Sequence, residues 1–342
     1  MAIRRHRSAV LLSSLTIAAL SLTACGSGSD TSASPEGGAT TASAPAEAVA
    51  VPSAEQVTPE LPVTFTGDDG TEIEVTSLDR VFVLDDPTIE IMQGLGLTDN
   101  IAIAPEGSAL DSELPESAQR VKTTGSSSMT VEGVAALEPT LVIGTNMRRQ
   151  GEIIEKLQAA EIPATMIDRS QEPADKIRKT ATLLGAAAAG EDLAGQVQQQ
   201  LDEAAKKTEG IADDERARAM VLSSSGAGDS GNTTAAGVDT PADGIITKAG
   251  AINTGAETGL ERYQSITPKG LISASPEVIL VAASELDQLG GEDGIWDHVD
   301  GLSSTPAAEN KRLIVMDDMQ LTGGGLSAGA GVLSLQNALA EH

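Results

Sequence analysis

The chain of 342 residues carries four aromatic side chains, Phe65, Phe82, Tyr263 and Trp296. So few rings give no stacking platform for bases or sugars, which excludes ordinary single-strand nucleic-acid binding. Cations are scarce as well, with 22 Lys and Arg against 50 Asp and Glu and a net charge of -28. Grip on a phosphate backbone rests on clustered Lys and Arg, so no nucleic-acid partner is expected. One cysteine, Cys25, rules out a disulfide framework and a multi-cysteine zinc site. His298 has no second His near it in sequence, which argues against zinc and for a surface role. No Ser, His and Asp set for acyl transfer is evident, so an enzyme is not expected. What remains is an Ala, Val, Leu and Ile core in a chain long enough for about two domains.

Cys25 gains meaning from what precedes it. Arg4, Arg5 and Arg7 lead an uncharged run from Ser8 to Ala24 that closes on Leu22, Thr23, Ala24 and Cys25. A basic start, a short apolar stretch and small residues before a cut describe an export signal. The run is short for a membrane span of about 20 apolar residues. Leu-Thr-Ala-Cys is similar to a bacterial lipobox, so residues 1–24 are read as a lipoprotein signal peptide and Cys25 as the lipidation site. The mature chain then holds 19 basic and 50 acidic residues, a charge of -31. From Gly26 to Ala50, 21 of 25 residues are Gly, Ser, Thr, Ala or Pro. Such a stretch buries too little apolar surface to fold, and residues 25–70 are read as a flexible tether.

Beyond it, β-branched runs alternate with helical stretches, the rhythm of α/β units. Residues 80–84 form a strand candidate, followed by a helix with Asp86 as its cap, Pro87 in its first turn, Ile89, Met92 and Leu95 inward, and Gly94 and Gly96 ending it. Residues 130–144 and 267–281 form an internal repeat: Thr130 matches Thr267, Gly133 matches Gly270 and Pro139 matches Pro276 without a gap. Each copy reads as a Thr-capped short helix, a Pro and a fully apolar strand. Two α/β lobes of like topology follow, at 71–170 and 212–342. The linker, 171–211, carries one long connecting helix from Glu191, with its break at Gly190 and Leu193, Val197 and Leu201 at helical spacing.

These features resemble a class III solute-binding lipoprotein of an ABC importer, with two Rossmann-like α/β lobes joined by one long helix and a ligand cleft between them. The resemblance covers roughly residues 75–342. It rests on Leu84 to Pro87, Glu138 to Gly144 and the second repeat copy. Leu289 to Gly294, Thr305 to Arg312 and Val315 to Asp318 are similar to the C-terminal lobe of actinobacterial hemin receptors. The resemblance implies a monomer held at the extracytoplasmic face of the membrane through its lipid alone. It also implies a permease and ATPase as partners, and haem or another ferric chelate as transported ligand rather than intrinsic cofactor. In those receptors an iron-binding His precedes the first capped helix and a Tyr follows the first strand of the second lobe. Here those positions fall at Gly125 to Ser127 and near Ser224, with no imidazole or phenolate.

The implied cleft is lined by loops leaving strand C-termini: Asp85 to Thr88, Thr123 to Met129, Thr145 to Gln150 and Ser223 to Thr234. Ser126 and Ser224 lie in two of them. Tyr263 sits four residues before Thr267, as Ser126 does before Thr130, which places it at the cleft as the one phenolate available for ferric iron. Arg262 beside it is expected to favour the charged form; packing of the loop is the competing role. Asn146, Met147, Arg148 and Arg149 form a second candidate run, the arginines suited to carboxylates and Met147 to soft axial ligation. Arg148 and Arg149 alternatively open a helix and meet Glu152 and Glu155, acids that also suit permease docking. Other readings of the same chain are a ferric siderophore or corrinoid receptor, or a surface sensor lipoprotein that keeps the fold without transport.

Overall fold

The computed structural model describes residues 49–123, 129–145, 147–224 and 233–341; Cys25, Ser126 and Asn146 lie outside these ranges. Among the described residues thirteen strands form a hairpin and two sheets. The hairpin pairs β1 (Val63–Thr66) with β2 (Glu72–Val75). The first sheet is wholly parallel: β3 (Val81–Val83), β4 (Ile101–Pro105), β5 (Gln119–Val121), β6 (Leu141–Gly144) and β7 (Ala164–Met166), in the order β5-β4-β3-β6-β7. The second comprises β8 (Arg218–Ser223), β9 (Thr234–Ala236), β10 (Ile252–Asn253), β11 (Tyr263–Ser265), β12 (Val278–Ala282) and β13 (Leu313–Met316). Its order is β11-β9-β8-β12-β13, with β10 also on β8 and β9 antiparallel to its neighbours. These are the two α/β lobes.

Both faces of each sheet are covered, as a parallel sheet requires. Val81 and Val83 point into one cluster, shared with the second lobe's Val278 and Leu280, while Phe82 and Leu84 point into another with Val142 and Ile154. Ile279 and Val281 turn to a third, around Leu271, Trp296 and Leu302. The shared cluster makes the two lobes one packed body.

Local capping accounts for the helices. The side chain of Asp85, not Asp86, caps α1 (Asp86–Gly94), accepting from Thr88 N at 3.2 Å. Asp86 is the first helical residue, and its carboxylate turns to Ser108 Oγ (2.6 Å) and Ala109 N (3.2 Å). Ile89, Met92 and Leu95 are buried and Gly96 ends the turn at φ 69°. The repeat is visible in space. Thr130 caps α2 (Val131–Ala135) and Thr267 caps α8 (Pro268–Ala274), accepting from Gly133 N at 3.0 Å and Gly270 N at 3.1 Å. Glu138 and Ser275, each just before the Pro, share a left-handed φ of 50° and 49°. Then β6 lies beside β3 as β12 lies beside β8. Thr267→Ala should cost about 1 kcal/mol through loss of the cap alone. A chemical-denaturation midpoint unchanged from wild type would remove that account.

After β6 comes α3 (Met147–Ala159), and after β7 come α4 (Pro173–Leu183) and α5 (Ala187–Thr208). The long connecting helix is α5, 22 residues and about 33 Å. Its break is at Gly185 (φ 69°), not Gly190. Gly190 lies inside α5 for another reason: a Cβ there would stand 2.2 Å from Ala181 Cβ of α4, so glycine lets the two helices touch. The second lobe adds α6 (Pro241–Lys248), α7 (Thr254–Glu257), α8, α9 (Gly291–His298), α10 (Pro306–Glu309), α11 (Asp318–Thr322) and α12 (Ser327–Ala340). His298 is exposed. Among the described residues no helix is long and apolar enough to cross a membrane.

The tether expected over 25–70 does not extend that far. Residues 49–62 lie as a strap: Ala54 N donates to Gly94 O, Val57 N to Leu95 O and Glu60 N to Gly185 O. Gln320 Nε2 and Gln200 Nε2 donate to Val49 O and Ala50 O. Composition resembled a linker, but the backbone finds fixed partners.

Candidate functional site

Strand direction places the site. In the first lobe β3 and β6 are neighbours whose connections run to opposite sides, and their C-terminal ends form the crevice. Asp85 joins them: besides capping α1 it accepts from Thr88 Oγ1 (2.7 Å), Thr145 Oγ1 (2.9 Å) and Thr145 N. One carboxylate thereby fixes both turns. Burial pushes the neighbouring Asp86 carboxyl up, against the lowering effect of Ser108 and Ala109, and the charges of Asp85 and of Asp318 from the second lobe push it further.

In the second lobe the equivalent ends of β8 and β12 border a cavity of about 220 Å³, lined among others by Ser223, Tyr263, Glu285, Asp318 and Thr322. Glu285, just past β12, accepts from Ser223 Oγ (3.0 Å) and Ser224 N (3.1 Å), and Ser224 Oγ pairs with Gln288 Oε1 at 2.9 Å. Asp318 opens α11 and accepts from Ser284 N (3.2 Å) and Ser284 Oγ, joining the loops after β12 and β13. Asp317 caps α11 through Met319 N and Gln320 N.

Tyr263 opens the outer strand β11, opposite Ala236 of β9, and is half-buried. Its ring lines the cavity while its hydroxyl, shielded from solvent, has no hydrogen-bond partner among the described residues. Burial first, then the charge of Glu285, holds the phenol's pKa well above its usual value. The expectation that Arg262 lowers it is overturned. Arg262 is exposed, with φ 58°, and is held by its backbone to Val238 and Gly237; desolvation of the ring outweighs a solvated cation.

Met147, Arg148 and Arg149 form the first turn of α3, directly after β6, but their side chains, like Asn146 and Ser126, lie outside the described residues. Glu152 pairs with Lys156 at 2.6 Å on the exposed face of α3. Sequence reasoning missed Glu285 and Asp318. The second repeat copy already located the end of β12, so the loop after it was within reach; carboxylates common in an acidic chain gave no further signal. Among the described residues no group of three or more His, Cys, Asp or Glu is placed to hold a bare metal ion.

A model of the periplasmic binding protein family matches residues 81–319. No curated protein matches the chain. Among solved structures, the apo periplasmic heme-binding protein RhuT from Roseiflexus sp. RS-1 is 28% identical with a TM-score of 0.66, covering 77% of this chain and 99% of that one. The heme binding protein HmuT is 25% identical with a TM-score of 0.69, covering 86% and 94%. The periplasmic heme-binding protein HutB of Vibrio cholerae, 24% identical with a TM-score of 0.61 over 77% and 99%, shares the fold.

Proposed function

The chain belongs to the periplasmic binding protein family, and from that premise we propose that it captures haem outside the cytoplasm and delivers it to an ABC permease and its ATPase. The observation that carries this reading is the Tyr263 hydroxyl, buried at the cavity without a partner among the described residues. A phenol so placed lacks what water would have given it, and an iron centre offers the missing interaction. RhuT and HmuT, both described as heme-binding, support the choice of cargo.

In this reading Tyr263 gives up its proton to solvent as ferric iron binds, with Glu285 lining the same cavity. Arg148 and Arg149, opening α3 on the opposite lobe, receive the cargo's carboxylates. Ser224, just past β8, borders the same crevice and Arg262 stands at its rim; for Asn146, Met147 and Ser126 the ligand-binding role rests on the sequence alone. Asp85 holds the first-lobe wall in place. Cys25 carries the lipid, and the receptor acts as a monomer at the membrane surface. Modest hinge closure around the ligand gives the permease a loaded form to recognise.

A second reading, a ferric siderophore or corrinoid, is favoured by Glu285 and Asp318 in the cavity, since two acids repel the free propionates of a porphyrin. Thermal unfolding with saturating hemin, a ferric siderophore and a cobalamin separates the two. A ligand at about 100 times its Kd adds about 2.7 kcal/mol of stability. A rise of several degrees with hemin alone is expected; a rise with either other ligand alone would transfer the assignment, and none with any would end the transport reading.

A further inference from the structure

A second buried acid lies outside the cleft. Glu90 sits in the middle of α1, in the first lobe, and is 6% exposed. It reaches the second lobe: Oε1 accepts from Ser327 N, the first residue of α12, at 2.9 Å, while Oε2 has no partner among the described residues. The two lobes touch closely around this bond. A Cβ at Gly325 would stand 2.4 Å from Glu90 Oε2, and a Cβ at Gly94 would stand 2.1 Å from Leu326 Cδ1. Both glycines therefore exist where α1 presses against residues 324–327. The strap crosses the same seam, with Ala54 bonded to Gly94 and Val49 to Ser334 and Gln320.

We propose that Glu90 is a proton-operated latch on the seam between the lobes, closing it when protonated and loosening it when ionised. The charged groups facing it support this. Asp317 at the head of α11 opposes ionisation. Lys176 of α4 favours it, but is itself buried and disfavoured as a cation, by desolvation first and by Arg169 next. The Ser327 hydroxyl and the amides of Ser327 and Leu326 favour the carboxylate; Asp86 lies on the same helix, with Asp85 as its cap. Burial outweighs the favourable contacts and raises the Glu90 carboxyl from 4.5 to about 7. Because this pKa is raised in the closed seam, the closed form's advantage is full below 4.5 and is lost as pH rises through about 7. The swing in the closed-to-open ratio is on the order of a hundredfold.

The test uses the mature chain without ligand. Carbon-13 NMR of its glutamate carboxyls should show one midpoint near neutrality. Exchange of the Ser327 and Leu326 amides, corrected for intrinsic rates, should accelerate above it. In Glu90→Gln, an isosteric neutral, those amides should stay protected across the range, and thermal stability should lose the fall that wild type shows between about pH 6 and 8. A Glu90 carboxyl titrating at its ordinary value, or a pH dependence identical in Glu90→Gln and wild type, overturns the proposal. Should the variant fail to fold, the wild-type titration alone decides.

Discussion

Replacing Asp85 with alanine is expected to cost about 3 to 5 kcal/mol of folding stability. The carboxylate makes four hydrogen bonds in two directions, to Thr88 N and Oγ1 within its own turn and to Thr145 N and Oγ1 at the end of β6. Loss of the helix cap accounts for about 1 kcal/mol. Hydrogen bonds to a charged group contribute about 1.5 to 3 kcal/mol each, and here Thr145, which is buried, would keep an unsatisfied amide. The terms share one side chain and do not add fully. Gly144 leaves no room for repair by a larger residue next door, since a Cβ there would stand 2.7 Å from Leu84 Cβ. Asp85→Asn keeps the Thr88 contact and should recover about half the loss. Urea unfolding of both variants checks this; a loss under about 1 kcal/mol for Asp85→Ala would mean that the turn is held by something else. The same substitution should loosen the first-lobe wall of the cleft, because both crevice turns hang from this carboxylate.

Tyr263→Phe should move stability and binding in opposite directions. In the free protein the substitution removes a buried hydroxyl that has no partner among the described residues, so stability should hold or rise slightly. Haem affinity should fall on the order of a hundredfold or more, since even groups behind a metal ligand are worth about 10- to 100-fold. The pH dependence follows from the raised phenol pKa. With the phenol protonated in the free protein and deprotonated on iron, binding releases a proton, so affinity should strengthen by about tenfold per pH unit through the neutral range. Tyr263→Phe should lose that slope along with the affinity. Unchanged affinity in the variant would leave Tyr263 as a packing residue and assign the iron elsewhere.

Much of this architecture was legible because its signals are local. Thr130 and Thr267, with a Gly three residues on and a Pro before an apolar run, carry their own capping chemistry, and the two copies fold alike. The misplacements share another cause. Asp85 and Asp86 are chemically equal as caps; the choice falls to Asp85 because Thr145, 60 residues away, needs the same carboxylate. Gly185 and Gly190 read alike, and only the packing of α5 on α4 gives one a left-handed turn and the other a close approach. Residues 49–62 have a linker's composition, yet their partners lie in α1, the Gly185 turn, α5, α11 and α12. The environment of Tyr263 is set by strand pairing with β9 and by Glu285, neither adjacent in sequence. An Arg neighbour therefore predicted the wrong direction for its pKa.

The central claim is that the phenol of Tyr263 meets iron in a cleft between two α/β lobes. Its most direct test is a hemin titration of the mature protein followed in the Soret region and at the longer wavelengths where a phenolate-to-iron charge-transfer band falls. Saturation at one equivalent with that band present, and its disappearance in Tyr263→Phe, is the predicted result. Saturable binding whose spectrum is identical in wild type and Tyr263→Phe, or no saturable binding at all, would contradict it.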